Sequence, residues 1–361
     1  MERKIRVGVV GLGWPGQRHL EAYLKHPQVE VIGLCDTNPV LLASIQSKYG
    51  VERGYGDFDD LLAVDELDAV SICTPNFLHQ PMICAALAAG KHTLCEKPLA
   101  ATLAQGELAA MAARESDRIC MIGFSRRYRE DSRLVKSLVD AGELGQIYHV
   151  RTGWLRRRWN PSVQGWFLSK QLSGGGPLID LGVHMLDLAL WFMGSPKAVS
   201  VSGSVSHHLG NTLSQTSSID VEDLASAYIR LDNGATVILE TSWVSYSGTG
   251  DHIFCQLMGT HGGAKIEFSA PTPVPPLEVY VDHAGVPLAA IPALPVGHET
   301  ADVHFFNEIS EFIAAIQENR QPASPIEHGL EILRILDAIY RSAETGAEIR
   351  LDRSSELAVA V

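Results

Sequence analysis

Apolar residues in the first 125 positions fall in short unbroken runs. Ile5–Val10, Val29–Cys35, Ala69–Cys73, Thr93–Cys95 and Ile119–Gly123 carry them almost consecutively, as strands do when both faces of a sheet are covered. Helical periodicity separates them, over Gln17–Lys25 (Leu20 and Leu24 on one face), Pro39–Lys48, Pro81–Ala89 and Leu103–Glu115. Arg53–Tyr55 predicts a further short strand, and Asp57–Leu62 a short segment opened by a capping-type Asp. Six strands with helical crossovers predict an α/β, doubly wound parallel sheet.

The pattern changes after a helix predicted over Tyr128–Ala141. From Gln146 the strands lengthen and alternate: Tyr148–Trp154, Ala198–Val205, Ala225–Leu231, Thr236–Val244 and Phe254–Gly259. "DNGA" at 232–235 is a hairpin signal. Strands in succession without helices predict a large, mostly antiparallel open sheet. Pro-rich 271–276 reads as a surface loop, and helices close the chain over Val303–Glu318 and Ile326–Thr345. The boundary falls near Phe124, giving domains 1–124 and 125–361.

Composition narrows the classes. The 361 residues are 46% apolar and 20% charged, an ordinary globular balance with length for two cores. Lys and Arg number 29 against 42 Asp and Glu, a formal charge of −13. An acidic chain without a basic tail is a poor partner for nucleic acid or an anionic membrane. No apolar run is long enough to span a bilayer, and Met1-Glu2-Arg3-Lys4 opens no signal-peptide pattern. The six cysteines, Cys35, Cys73, Cys84, Cys95, Cys120 and Cys255, include no C-x-x-C pair. They read as buried free thiols of a cytoplasmic protein.

The first strand runs into Gly11-Leu12-Gly13-Trp14-Pro15-Gly16. Alone, G-x-G-x-x-G says little. Here a strand precedes it, a helix follows, and Asp36 closes the second strand twenty positions after Gly16. Such a turn brings a pyrophosphate to a helix N-terminus, and the acidic residue accepts the adenosine ribose hydroxyls. Pro15 suits the first helical turn, where its missing N–H has no intrahelical partner, and Leu12, Gly13 and Trp14 still offer amides. Trp14 projects outward. Thr37 and Asn38 bring no cation for a 2′-phosphate, so the cofactor expected is NAD, bound by Gly11, Leu12, Gly13, Trp14, Gly16 and Asp36. An ordinary strand–turn–helix packed by small residues is the alternative.

Two further stretches carry chemistry: "CTPNFLH" at 73–79 with "CEKPLA" at 95–100, and "SGGGPLIDLGVHMLDLALWFMG" at 173–194. With the glycine turn and His19 beyond it, they make the chain resemble, over nearly its whole length, the glucose–fructose oxidoreductase/inositol dehydrogenase/rhizopine-catabolism (Gfo/Idh/MocA) family. The resemblance implies an N-terminal Rossmann domain, an α/β domain with a large open sheet, and hydride transfer between a nicotinamide and a ring carbon bearing a hydroxyl. It makes Lys97, Asp180 and His184 the catalytic constellation. It sets Thr74, Asn76, His79 and Glu96, with Lys97, along the nicotinamide half of NAD. It also implies a homodimer or homotetramer, in keeping with apolar residues at both parities of "ATVILETSWV", 235–244.

The residues make chemical sense by themselves. Lys97 follows a strand's C-terminal end, where open α/β sheets place ligands. Asp180 and His184, four apart, share one helix face, with Asp187 three further on. Oxidising a secondary alcohol needs a base for the hydroxyl proton and a cation for the developing alkoxide, which a His and a Lys supply. Which of the two is the base stays open. Singly, each residue has a plainer account: a solvated Lys, an Asp capping a helix, a satisfied core His. Their joint appearance with the cofactor turn favours chemistry. Asp187 reads as structural, and no second ligand cluster supports a metal site.

Trp154, Trp159 and Trp166 surround Arg156, Arg157 and Arg158. Aromatic faces pack on the C–H faces of sugar rings, so Arg158 and Trp166 join Lys97, Asp180 and His184 as substrate candidates. Core packing or a subunit contact is the alternative. Arg126 or Arg127 is a candidate to reach the cofactor. The expected function is NAD-dependent oxidation of a ring hydroxyl in a sugar, glycoside, anhydrosugar or inositol-like polyol. A redox-neutral glycosidase, which oxidises its substrate transiently and eliminates the aglycone, would carry the same residues. A ligand-sensing regulator would not need Lys97 and His184.

Overall fold

The computed structural model describes residues 3–158, 160, 162–208, 219–246, 250–268, 276–294 and 300–351. It divides into two units, Met1–Arg129 with Val296–Leu333, and Glu130–Pro295 with Arg334–Val361. The first break thus follows Arg129 rather than Phe124. The stretch expected as one second domain is also interrupted, because 296–333 belong with the first unit.

The first unit alternates β1 (Ile5–Val10), α1 (Trp14–Lys25), β2 (Val29–Cys35), α2 (Pro39–Tyr49), β3 (Gly54–Tyr55), α3 (Phe58–Leu62), β4 (Ala69–Ile72), α4 (Asn76–Ala88), β5 (His92–Glu96), α5 (Leu103–Arg114) and β6 (Cys120–Gly123). The strands lie in the order β3-β2-β1-β4-β5-β6, all pairs parallel. Strand order reverses between β1 and β4, and their C-terminal ends mark the switch point where such sheets take ligands. Helix α4 starts at Asn76, ahead of the Pro81 that the sequence suggests as its first residue. Pro81 lies inside the helix and forgoes one backbone bond there.

The second unit holds α6 (Glu130–Asp140), β7 (Ile147–Leu155), α7 (Lys170–Ser173), α8 (Val183–Phe192), β8 (Ala198–Ser206), β9 (Leu224–Leu231), β10 (Thr236–Ser242), β11 (His252–Gly259), β12 (Gly262–Glu267), β13 (Leu277–His283) and β14 (Val286–Ala290). After α9 (Ala301–Glu318) and α10 (Ile326–Thr345), β15 (Ile349–Arg350) closes the sheet at its far edge. The order is β14-β13-β12-β11-β7-β10-β9-β8-β15. Every pair is antiparallel except β7 with β10. Strands β12 to β15 go beyond the sequence expectation. Trp159 and most of the Pro-rich loop, 271–275, lie outside the described residues.

Each unit has its own core. In the first, Val7 and Val9 of β1, Leu94 and Met121 pack with Leu20 and Tyr23 of α1, and with Phe305, Ile309, Phe312 and Ile313 of α9. In the second, α8 buries Met185, Leu186, Leu188, Ala189 and Phe192, and Val237 and Leu239 of β10 are buried while Ile238 between them is only half-buried. One face of that strand is therefore covered more fully than the other. All six cysteines are free thiols, and burial pushes Cys35 and Cys255 up to about 12. Among the described residues no helix is long and apolar enough to cross a membrane.

Membership of α9 in the first core has a direct measure. Phe312→Ala should cost about 3–5 kcal/mol in urea unfolding. A loss below about 1 kcal/mol would place that side chain outside a packed core.

Candidate active site

The glycine turn is built by close approach. Gly11 has φ +82°, and a Cβ there would sit 2.6 Å from the Cys73 carbonyl oxygen. A Cβ on Gly16 would sit 1.9 Å from that of Gly11. Over Gly13 the space is open, with nothing nearer to a Cβ than Pro15 Cδ at 4.0 Å. Helix α1 begins at Trp14 with Pro15 in its first turn, and Gly13 brings no side-chain cap. Its leading amides have no intrahelical partner, so an open, positively polarised end faces the space above Gly13, which fits the pyrophosphate of a dinucleotide.

One expected donor is engaged otherwise. Leu12 N donates to Asp36 Oδ2 at 2.8 Å, while Asp36 Oδ1 accepts Asn38 N at 2.8 Å. The Leu12 amide is thus held inside the turn, and the carboxylate oxygens have lone pairs beyond these two bonds. Trp14 does project outward, 63% exposed, with its ring edge on Phe305 at 5.8 Å between centroids.

At the end of β5, Glu96 is clamped on two sides. Its Oε1 lies 3.2 Å from His19 Nε2, and its Oε2 accepts Lys97 N at 3.1 Å. His19 is fully buried; its Nδ1 meets Ser71 Oγ at 3.0 Å, which meets Tyr23 Oη at 2.9 Å. Burial opposes charge on Glu96, but the His19 hydrogen bond and charge, with Lys97, outweigh it and hold the carboxyl below the usual range. His79 is buried, with Nδ1 2.6 Å from Pro98 O and Nε2 2.8 Å from Thr74 O. It ties together the two loops that "CTPNFLH" and "CEKPLA" begin, and burial pushes its pKa down. Asn76 is buried at the start of α4, and Thr74 Oγ1 meets Met82 Sδ at 3.4 Å. Lys97 is half-buried beyond the strand end. Arg127 turns inward to Ala323 O and His328 Nδ1 and is 1% exposed, which removes it as a cofactor contact.

In the second unit, Asp180 lies in a π-helical turn, Leu178–Gly182, that leads into α8. Such turns recur at functional sites. Trp243 Nε1 donates to Asp180 Oδ2 at 2.9 Å, and Arg156 Nη1 stands 3.6 Å from the same oxygen. The Arg156 guanidinium lies 5.5 Å from the Trp154 ring, which lies 6.0 Å from that of His184. Asp180 and His184 therefore gather, with Trp154, Arg156 and Trp243, around the ends of β7 and β10. Arg158 is exposed; of the three arginines it is Arg156 that meets Asp180. Trp166 stacks on Phe167 at 3.9 Å, and Phe167 packs on a cluster of Val163, Leu168, Leu181, Val221 and Trp243. Asp187 is buried on α8. Among the described residues no cluster of three or more His, Cys, Asp or Glu side chains forms a metal site.

Three residues here go beyond the sequence reading. Arg156 shares strand parity with Trp154, as Arg158 does, and the end of β7 at Leu155 singles it out. Trp243 follows β10, whose Ser242 pairs with Leu155 of β7; only the pairing reveals it. Glu222 is 2% exposed, and its carboxylate accepts Gly176 N at 2.9 Å, Leu178 N at 3.0 Å and Tyr340 Oη–H at 3.0 Å. Burial pushes this carboxyl up against the pull of those bonds.

Known proteins match both halves. Residues 5–124 match the model of an oxidoreductase family with an NAD-binding Rossmann fold, GFO/IDH/MocA, and 132–265 match the GFO/IDH/MocA C-terminal domain. A D-glucoside 3-dehydrogenase of Escherichia coli K12 is 30% identical over 358 residues, 96% of this chain and 97% of that protein. A levoglucosan dehydrogenase of Pseudarthrobacter phenanthrenivorans is 26% identical over 94% of this chain and 96% of its own. The structure of a levoglucosan dehydrogenase in complex with NADH superposes with a TM-score of 0.87 at 26% identity, covering 97% of this chain and 100% of that one.

Proposed function

Because this chain belongs to the GFO/IDH/MocA oxidoreductases, with their NAD-binding Rossmann fold, we propose that it oxidises a secondary ring hydroxyl of a glycoside, anhydrosugar or related cyclic polyol. The observation that carries this reading is the grouping of Asp180, held by the buried Trp243 Nε1, and His184 beside the half-buried indole of Trp154. Hydrogen-bonding groups beside flat apolar faces suit a sugar ring, which offers C–H faces and hydroxyl edges. Relatives named for glucoside and levoglucosan oxidation support the substrate class.

NAD held at the glycine turn would supply the acceptor for the hydride of the carbinol carbon. Gly11, Gly13, Trp14 and Gly16 admit its pyrophosphate at the start of α1, and Asp36 takes its adenosine ribose. Thr74, Asn76, His79 and Glu96 shape the nicotinamide end, the last two by holding the loop backbone. His184 takes the hydroxyl proton, the Lys97 ammonium neutralises the developing alkoxide, and Asp180 orients the substrate hydroxyls. Trp166 and Arg158 stand as outer substrate contacts. We read the protein as a cytoplasmic homodimer or homotetramer, supported by the half-buried Ile238 face of β10 and by exposed Tyr228, which pairs with Ile238 on the neighbouring strand β9.

Three measurements test this reading. A screen of inositols, aldoses, anhydrosugars and glycosides, with NAD and NADP and with aglycone release followed in parallel, should give NADH with a cyclic sugar and prefer NAD. Asp36→Ala should narrow that preference by removing the carboxylate that repels a 2′-phosphate; an NADP preference in the wild type overturns it. Lys97→Met should cut turnover by roughly a hundredfold or more, and His184→Ala by a comparable factor, with losses less than additive. The rise of oxidation rate with pH should vanish in the His184 variant and persist in the Lys97 one; the reverse exchanges their roles, and unchanged turnover in both refutes the assignment. Light scattering at micromolar concentration should show a dimer or tetramer, and a monomer would contradict it.

A further inference from the structure

We propose that Glu222 and Asp223 together form a positioning element for Asp180, fixing it from its backbone through one residue and from its carboxylate through the other. This rests on the reading of Asp180 as a catalytic residue.

The helical segment that carries Asp180 and His184 has no cap of its own. Pro177 and Gly182, the residues before its π and α portions, make no side-chain capping bond. Leading amides of a buried helix must find acceptors. Here Glu222 supplies them from a distant part of the chain, taking Gly176 N on Oε2 and Leu178 N on Oε1. A carboxylate is favoured at that end by the helix dipole. Tyr340 of α10 closes the arrangement by donating to Oε1 at 3.0 Å. The fit leaves no slack. A Cβ on Gly176 would lie 2.1 Å from Glu222 O, and one on Gly175 1.8 Å from Tyr340 Oη. One turn on, Asp180 N donates to Gly176 O at 3.0 Å, so the clamped glycine is the residue on which the Asp180 backbone hangs.

Asp223 secures the other end. Its carbonyl oxygen accepts Trp243 N at 3.1 Å and Ser242 Oγ–H at 2.8 Å. Trp243 is fully buried, and its indole is the donor to Asp180 Oδ2 at 2.9 Å. Two consecutive residues thus set both the origin of Asp180 and the group that aims its carboxylate. A shift of this dipeptide moves origin and donor together, and misplacement of a catalytic group by about an ångström costs on the order of a hundredfold in rate.

The test is a double-mutant cycle on the full-length enzyme with its sugar substrate. Glu222→Gln keeps the size but turns one acceptor into a donor facing backbone N–H. It should lower kcat by roughly ten- to a hundredfold while NADH affinity, measured by fluorescence, stays within about twofold, since that site lies in the other unit. Asp180→Asn should be slow by itself. In that background Glu222→Gln should cost no more than about threefold further, because the two act as a unit. Should Glu222→Gln not fold, Tyr340→Phe, which removes one donor of the clamp, runs the same cycle with a smaller fall in the same direction. Losses that multiply, or a folded Glu222 variant of full activity beside a slow Asp180→Asn, overturn the positioning role alone. Full activity in Asp180→Asn overturns the catalytic reading of Asp180, and this proposal with it.

Discussion

A carboxylate accepting backbone amides from a glycine turn directs the functional groups of both units. Asp36 takes Leu12 N in the first unit, and Glu222 takes Gly176 N and Leu178 N in the second. Hydrogen bonds with a charged partner are roughly twice as strong as neutral ones, and a buried donor stripped of its acceptor costs the full desolvation of that group. Glycine is what lets each contact close. The space a side chain would need is already filled by Gly11 O beside Gly16 and by Glu222 O beside Gly176. The helix that follows each turn inherits its direction from the clamp, and with it the groups at its start.

Between the turns, the end of β5 shows the same economy with a different geometry. Glu96 is nearly buried, yet remains the anion because His19 reaches it from α1 and Lys97 follows it in the chain. One carboxylate thereby joins a strand end, a helix and the backbone of Lys97. His79 does the equivalent for the neighbouring loop, with its ring between the carbonyls of Thr74 and Pro98. The residues flanking Lys97 are thus held by side-chain bonds rather than by the sheet ladder alone.

The first unit was legible because its grammar is local. Buried parallel strands are unbroken apolar runs, and Gly, Pro and Asp mark their ends, so β1 and β2 come out at their observed bounds. Strands β12 to β14 were not: β12 opens on Gly262-Gly263, and all five residues of β14 are exposed, so neither shows the alternation of a half-buried strand. Lys97, Asp180 and His184 stood out in the sequence through the "CEKPLA" and "SGGGPLIDLGVHMLDLALWFMG" motifs. Glu222 did not, because an acidic residue in "SIDVEDLAS" has the look of a solvated loop, and only distant Gly176 and Tyr340 explain its burial. Arg156 was one of three adjacent arginines, and the end of β7 at Leu155 decides which of them turns to Asp180.

The core of the first unit is finished by residues from near the end of the chain. Phe305, Ile309, Phe312 and Ile313 cover Leu20 and Tyr23 of α1, and the stretch that carries them comes after the entire described sheet of the second unit save β15. On the ribosome, synthesis runs from the N-terminus, so the six parallel strands emerge long before the helix that seals them. During that interval an apolar flank of the nascent sheet stays open to solvent, the condition under which holding chaperones bind and partly made chains associate. The high sequence separation also adds loop-closure entropy to the search. Order of synthesis and order of completion are therefore inverted: the nucleotide fold begins first and closes last.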